Sequence, residues 1–363
     1  MNKIGITTFH RATNYGAVLQ AYALQKFILD LGYDVELIDY CCEINDHSNL
    51  MDIRKYIRNP IRAIGSYNVR RRCIRFNKFV SNNIKTTKKS YTKENIDQFD
   101  DSEFDLIITG SDQVWNPDII HDENAFLLDF INDDRKKYAY AASIGLCEID
   151  DDTKKRFIKY LSRYSRISVR EKNALELLRT CGINNADLVC DPTLLLDITN
   201  WIKLEKKVKT PKSYILIFGF NDDDFSWKCA RYIRKRTNCE ICVIGDRIIK
   251  PSGYIQFSAV GPQEWLYLIH HADYVITNSF HGMMFSIIFK RKFGVYDPKD
   301  GTNVRLAEML GKSGCSNRYI EEDHMEKMMD EIDYNEVGNN LSDYISHSKS
   351  YIKRILTSIR GDV

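Results

Sequence analysis

Apolar and polar positions along the chain repeat one theme. A short apolar run is followed by a polar turn and then by a longer stretch with helical period. "KIGITTF" places Ile4 and Ile6 on one side of a strand. In "NYGAVLQAYALQKFILDLG", Ala17, Leu24, Phe27, Ile28 and Leu31 form a helical stripe, and Gly32 is placed to end it. "DVELIDY" is the next strand. Strand, helix and strand at this spacing predict a parallel pair with a right-handed crossover. The theme continues through "FDLIITGSDQVW", "KKYAYAASIG", "DTKKRFIKYLSRYS", "ISVREKNALELLRTCG" and "ADLVCDPTLLL". Residues 1–196 therefore read as one α/β domain, with a basic helical excursion over 53–93.

A second domain is expected over 197–333. The polar stretch "EKKVKTPKS" precedes "YILIFGF", an almost continuous apolar strand of the kind found in sheets covered on both faces. Helix 224–236, strand "EICVIG", helix 262–271, strand "DYVIT", helix 282–289 and strand "KFGVY" follow. A last helix near 336–358, within 334–363, is expected to pack back on the first domain. The fold class is α/β, with two Rossmann-like domains facing across a cleft. In such folds ligands sit beyond the carboxyl ends of the strands.

Composition changes this picture little. The 363 residues are 28% charged and 44% hydrophobic, as in ordinary globular chains. The net charge of +2 names no partner. Its distribution is less even, because residues 53–93 contain thirteen Lys or Arg and no acid. Such a surface suits phosphate, nucleic acid or an anionic membrane. No aromatic platform or reading helix accompanies it, which argues against nucleic acid. The 10 cysteines and 8 histidines show no complete set at zinc-site spacing, so no metal is expected. Neither a secretory run nor a bilayer-length apolar stretch is visible, and the expected location is cytoplasmic. Peripheral contact with the inner face of the cell membrane and a homo-oligomeric state both stay open.

Polar residues gather where the strands run out. In "DYVITNSFHGMMF", Asn278, Ser279 and His281 follow a strand and open a helix. Free N–H groups of a first helical turn cradle anions, and Gly282 would let a ligand approach the backbone. His281 would donate a proton to that ligand, or it is a buried imidazole bonded to backbone. Arg170, after "ISV", has a planar fork that suits a carboxylate or phosphate, or it makes a surface salt bridge. Glu171 beside it is a base or a dipole-stabilised helix acid. In "TGSDQVWNP", Ser111 offers a backbone N–H, and Asp112 would orient a sugar hydroxyl or act as base. Trp115 would stack on a sugar ring or pack its indole inside. Asn14 and Tyr15 stand at the mouth of the first crossover helix, where Asn14 holds a hydroxyl or caps the helix. His10 and Arg11 are a weaker pair, and Asp191 reads as a cap beside Pro192. Asn303 and Arg305, in "GTNVRLAEML", would add an anion contact. Neither GxGxxG nor GxxxxGK[ST] occurs, so nothing supports a nicotinamide or nucleoside triphosphate site.

Read together, "TFHRATNYGAVLQAYAL", "DLIITGSDQVWNP", "YAYAASIG", "SVRE", "CDPTLLL" and "NSFHGMMFSI" make the chain resemble the polysaccharide pyruvyl transferase family. The resemblance implies a fold similar to the glycosyltransferase B class. It implies transfer of a pyruvyl group from phosphoenolpyruvate, as donor substrate and without a cofactor, onto two sugar hydroxyls. A cyclic ketal forms and phosphate leaves. The acceptor would be a sugar or a lipid-linked oligosaccharide of a cell-envelope polysaccharide. The family's catalytic histidine falls on His281 and its anion-binding arginine on Arg170. Asp112, with Glu171 in reserve, would be the base. Some relatives carry an arginine two positions before that histidine, where this chain has Ser279. The first domain would be the acceptor side and the second the donor side. The rival readings are a glycosyltransferase using a nucleotide-activated sugar and a non-catalytic carbohydrate-binding protein.

Overall fold

The computed structural model describes residues 3–42, 60–121, 123–219, 224–245, 253–297 and 304–358, with 60–66 described at the backbone only. The chain divides into two compact units. The first comprises Met1–Asp46, Val80–Leu196 and Ser342–Val363, and the second His47–Phe79 and Asp197–Leu341.

β1 (Lys3–Thr7), α1 (Tyr15–Asp30) and β2 (Asp34–Tyr40) form the opening crossover. Asn14 caps α1 by accepting from the Ala17 N–H at 3.3 Å, a contact of the kind worth about 1 kcal/mol. At the other end Leu31 is the last capping residue, and Gly32 turns the chain with φ of +86°, which costs glycine nothing. α2 (Pro60–Asn83), β3 (Thr86–Tyr91), β4 (Leu106–Thr109), α3 (Pro117–Ile120), β5 (Lys137–Ala139), α4 (Asp151–Leu161), β6 (Ile167–Val169), α5 (Lys172–Thr180) and β7 (Ala186–Leu188) follow. The first sheet is parallel, in the order β3-β2-β1-β4-β5. Isolated bridges, Tyr138 to Arg166 and Ala142 to Val169, carry it on to the parallel pair β6-β7.

The second unit holds α6 (Ile198–Leu204), β8 (Tyr214–Phe218), α7 (Asp224–Arg234), β9 (Glu240–Ile244), β10 (Ile255–Phe257), α8 (Pro262–His270), β11 (Tyr274–Thr277), α9 (Phe280–Ile288), β12 (Lys292–Val295) and α10 (Val304–Ser313). Its parallel sheet runs β10-β9-β8-β11-β12, the same winding as the first. Order reverses between β1 and β4 in one unit and between β8 and β11 in the other, and such points are where open α/β sheets bind ligands. The apolar run "YILIF" forms β8, with Ile215 and Leu216 inaccessible.

α11 (Tyr334–Thr357) belongs to the second unit as far as Leu341 and to the first from Ser342 onward. Within the first unit its Tyr344 hydroxyl donates to the Val189 carbonyl at 2.6 Å and Tyr351 to the Ala139 carbonyl at 3.1 Å. The Cys190 N–H donates to Ser348 at 2.8 Å. These bonds hold the strand ends that lead to the polar residues described below.

The basic stretch 53–93, expected as one excursion of the first domain, is instead divided. Residues 53–59 lie outside the described residues, α2 runs into the second unit's share as far as Phe79, and β3 joins the first sheet. Arg75 explains the attachment, since its guanidinium donates to the Ala259 carbonyl at 2.7 Å and lies 3.7 Å from Glu264. Among the described residues no helix is long and apolar enough to cross a membrane.

Candidate functional site

In the first unit, the ends of β4, β6 and β7 bring four charged side chains together. Arg170 follows β6 directly, and its side chain is 2% exposed. Its guanidinium lies 2.7 Å from Asp191, 3.5 Å from Asp112 and 3.6 Å from Glu171. Burial works against the Arg170 charge, but Asp191, Glu171 and Asp112 outweigh it and hold its pKa above the usual arginine value. Three carboxylates and one guanidinium sum to a formal charge of −2.

The Arg170 Nη1 donates to Asp191 while Asp112 and Glu171 stay at ion-pair distance, so an incoming phosphate would meet carboxylate repulsion. Arg170 therefore organises the acids around it. Glu171 is equally committed, accepting from the Ser143 hydroxyl and from the Gly145 N–H at 3.2 Å, and it is 1% exposed. Both bonds fall on Oε1, and Oε2 lies 3.6 Å from the Arg170 Nε. Ser111 is inaccessible, with its hydroxyl 3.5 Å from both Arg170 and Asp191. Its expected substrate contact gives way to a role inside the cluster.

Asp112 stands apart from its neighbours. Its side chain is 13% exposed, against 1–2% for Glu171 and Asp191. Its φ is +76°, a left-handed conformation that most residues avoid and aspartate tolerates. The Val114 and Ser143 N–H groups both donate to its carbonyl and hold that backbone. A strained residue presenting the most accessible carboxylate of a buried cluster is suited to meet a hydroxyl.

Trp115, expected to stack on a sugar, is in the core. It is fully buried, donates from Nε1 to the Phe126 carbonyl at 3.0 Å, and packs edge-on to Tyr164. Tyr15 is also buried, while Asn14 remains exposed beside the strand ends in addition to capping α1. His10 and Arg11 both bind Asp39, which also accepts from Ser90. Burial opposes ionisation of Asp39, yet bonds from His10, Arg11 and Ser90 hold its carboxyl well below the usual range. This network reads as structural.

The second unit presents a different surface at the equivalent sheet edge. β11 ends at Thr277, and α9 begins two residues later with Ser279 as its N-cap, accepting from the Gly282 N–H at 3.3 Å. Thr277 Oγ1 in turn accepts from the Ser279 N–H at 3.0 Å. Ser279 is thus a cap, with its hydroxyl oxygen engaged by the Gly282 N–H. Gly282 is needed for packing, because a Cβ there would lie 2.4 Å from Thr277 Oγ1. Close seating of α9 on the strand end, and not ligand approach to the backbone, explains this glycine. Phe285 fixes the helix from below, against the rings of Trp201 at 4.8 Å and Trp265 at 5.2 Å.

His281 is in the first turn of α9 and 7% exposed, with its ring edge-on to Phe280 at 5.3 Å. Asn278 reaches across the turn after β8, where a Cβ on Gly219 would come within 2.4 Å of its Oδ1. The Arg305 guanidinium lies 6.0 Å from the Phe280 ring centroid, which places a cation beside the first turn of α9. Asn303 falls outside the described residues. His281, Asn278 and Arg305 thus stand near a helix start and its positive dipole end.

Two Rossmann-like units with the polar residues at their strand ends define a fold of the glycosyltransferase B type. Solved structures agree on the fold. UDP-GlcNAc 2-epimerase from Methanocaldococcus jannaschii is similar at a TM-score of 0.53 and 15% identity, over 99% of this chain and 100% of that one. UDP-N-acetylglucosamine 2-epimerase from Rickettsia bellii matches at 0.52 and 11%, over 99% and 96%. The enzyme from Neisseria meningitidis bound to UDP-GlcNAc matches at 0.51 and 8%, over 99% and 100%. A search of curated protein sequences gives no significant match. Residues 14–300 match the family described as polysaccharide pyruvyl transferase, and the chain belongs to that family.

Proposed function

We propose that this transferase moves the pyruvyl group of phosphoenolpyruvate onto two hydroxyls of a sugar in a polysaccharide precursor. The observation that carries the reading is His281 at the start of α9, with Arg305 alongside, in a chain of this family. Phosphoenolpyruvate carries a phosphate and a carboxylate. The first-turn N–H groups and Arg305 supply the positive field that such a dianionic head requires.

In the proposed reaction a proton reaches the methylene carbon and the substituted carbon gains oxocarbenium character. One sugar hydroxyl adds, phosphate leaves with its bridging oxygen, and the second hydroxyl closes the ketal. Two hydroxyl protons are released in all. One balances the proton taken up by the new methyl group and the other ends on phosphate. His281 delivers the proton to carbon or to the departing phosphate. Asp112 accepts a hydroxyl proton, with Arg170 and Asp191 holding it in place. The acid-rich edge of the first unit serves the acceptor, whose hydroxyls donate well to carboxylates. No step calls on a cofactor.

The acceptor is a free, nucleotide-linked or lipid-linked sugar. The basic side chains of α2, among them exposed Arg70, Arg71 and Lys78, would lie against an anionic inner membrane surface if the acceptor is lipid-linked. Co-sedimentation with anionic vesicles tests that contact, and no binding at low salt would remove it. The function itself is tested by phosphate release from phosphoenolpyruvate over a panel of acceptor sugars. Acceptor-dependent phosphate release is expected. Release of a nucleotide from a sugar nucleotide, with none of phosphate, would contradict the proposal.

A further inference from the structure

The end of α8 carries two adjacent histidines, His270 and His271, in "YLIHHADY". The end of α6 carries Glu205 as its C-terminal cap. The fold brings these two helix ends together. His270 Nδ1 lies 2.6 Å from one Glu205 oxygen and His271 Nδ1 3.9 Å from the other. One donor atom from each of the three residues falls within 4.8 Å of the others. We propose that Glu205, His270 and His271 bind one divalent transition-metal ion of the zinc class, clasping α6 to α8.

The donor set is the first argument. Two imidazoles and one carboxylate suit zinc and its neighbours and do not suit magnesium or calcium, which want oxygen alone. Spacing is the second. Ligands about 2.0–2.2 Å from a tetrahedral zinc ion lie roughly 3.3–3.5 Å apart. His270 and Glu205 are in direct contact at 2.6 Å and would open by about 0.7–0.9 Å to admit the ion. His271 needs to move by about 1 Å, and its 41% exposed side chain has the room. In moving, its Nδ1 gives up a 3.0 Å contact with the Tyr267 carbonyl. Both rings are held by stacking, His270 on Phe289 at 4.6 Å and His271 on Tyr267 at 4.0 Å.

Electrostatics agree with the geometry. The Glu205 side chain is 8% exposed. Lys206 beside it turns away to Glu264 at 2.9 Å, so it does not neutralise Glu205. Arg291 is the opposing charge, and its Nε donates to the Phe289 carbonyl at 2.9 Å. The cluster precedes the start of β11, whereas His281 follows its end, so the ion's role is structural.

The test uses the full chain, stripped with a chelator and titrated with Co2+ and then Zn2+ against a chromophoric competitor. One equivalent should bind, raise the thermal midpoint, and give a cobalt spectrum without sulfur charge-transfer bands. Glu205→Gln and His271→Ala should each weaken binding about tenfold or more, the scale seen even for second-sphere partners. His324→Ala, at a separate surface histidine, should bind as the parent does. Three results would overturn the proposal: no stoichiometric binding, sulfur bands that assign the ion to thiols, or unchanged affinity in folded His271→Ala. Should Glu205→Gln misfold, the exposed His271 decides the matter.

Discussion

β4 in the first unit and β11 in the second occupy matching places in sheets of the same winding, and β6 and β7 add their ends to the first. Their chemistry is opposite. The first gathers Asp112, Glu171 and Asp191 around one arginine, whereas the second offers a histidine, a helix start and Arg305. A repeated fold therefore carries two surfaces of opposite character. The negative surface favours hydroxyl donors and the positive one favours an anion. An arginine found at the first surface is a binder of acids, and the same side chain at the second would be a binder of substrate.

The largest expected effect sharpens the contrast at His281. His281→Ala should lower phosphate release about 10²–10⁴-fold with phosphoenolpyruvate binding retained, as steady-state rates and calorimetry would read. Asp112→Asn should cost a comparable factor and leave the fold intact, because asparagine also tolerates positive φ. Next comes Arg170→Ala. Its removal leaves three buried carboxylates together, and a loss of about 3–5 kcal/mol in denaturant unfolding is expected. An Arg170→Ala protein of parental stability would break the comparison.

Arg305→Ala should behave in the opposite way. Loss of one charge-assisted contact, about 1.5–3 kcal/mol, should raise KM for phosphoenolpyruvate without moving Tm. The smallest effect concerns Asp39. Its folded pKa is depressed, so its contribution is present above the unfolded value near 4 and is lost as pH falls through the folded value. Asp39→Asn should thus be less stable than the parent at neutral pH and converge with it in acid, as thermal melts across that range would show.

Much of the fold was legible because burial writes itself into periodicity. The opening crossover, the apolar β8 and the β11–α9 turn that carries His281 all follow from it. β3 did not, since "TTKKSY" is a polar edge strand with exposed Lys88 and Lys89. Asn14 was readable as a cap because local hydrogen bonding decides caps. The carboxylates around Arg170 were hidden for the converse reason. Its partners Asp112 and Asp191 come from other strand ends, and Ser111 stands 59 residues away in sequence. The polar loop "GSDQVWNP" made Trp115 look like a ligand platform, while the carbonyl that satisfies its indole belongs to Phe126. Glu205 and His270, 65 residues apart, likewise share no local pattern.

The account turns on which surface receives the donor, and a crystal structure with bound phosphoenolpyruvate measures that directly. The prediction is phosphate or carboxylate oxygens within hydrogen-bond distance of the first-turn N–H groups of α9, with His281 and Arg305 in contact. A donor anion seated on Arg170 in place of its carboxylates would contradict it.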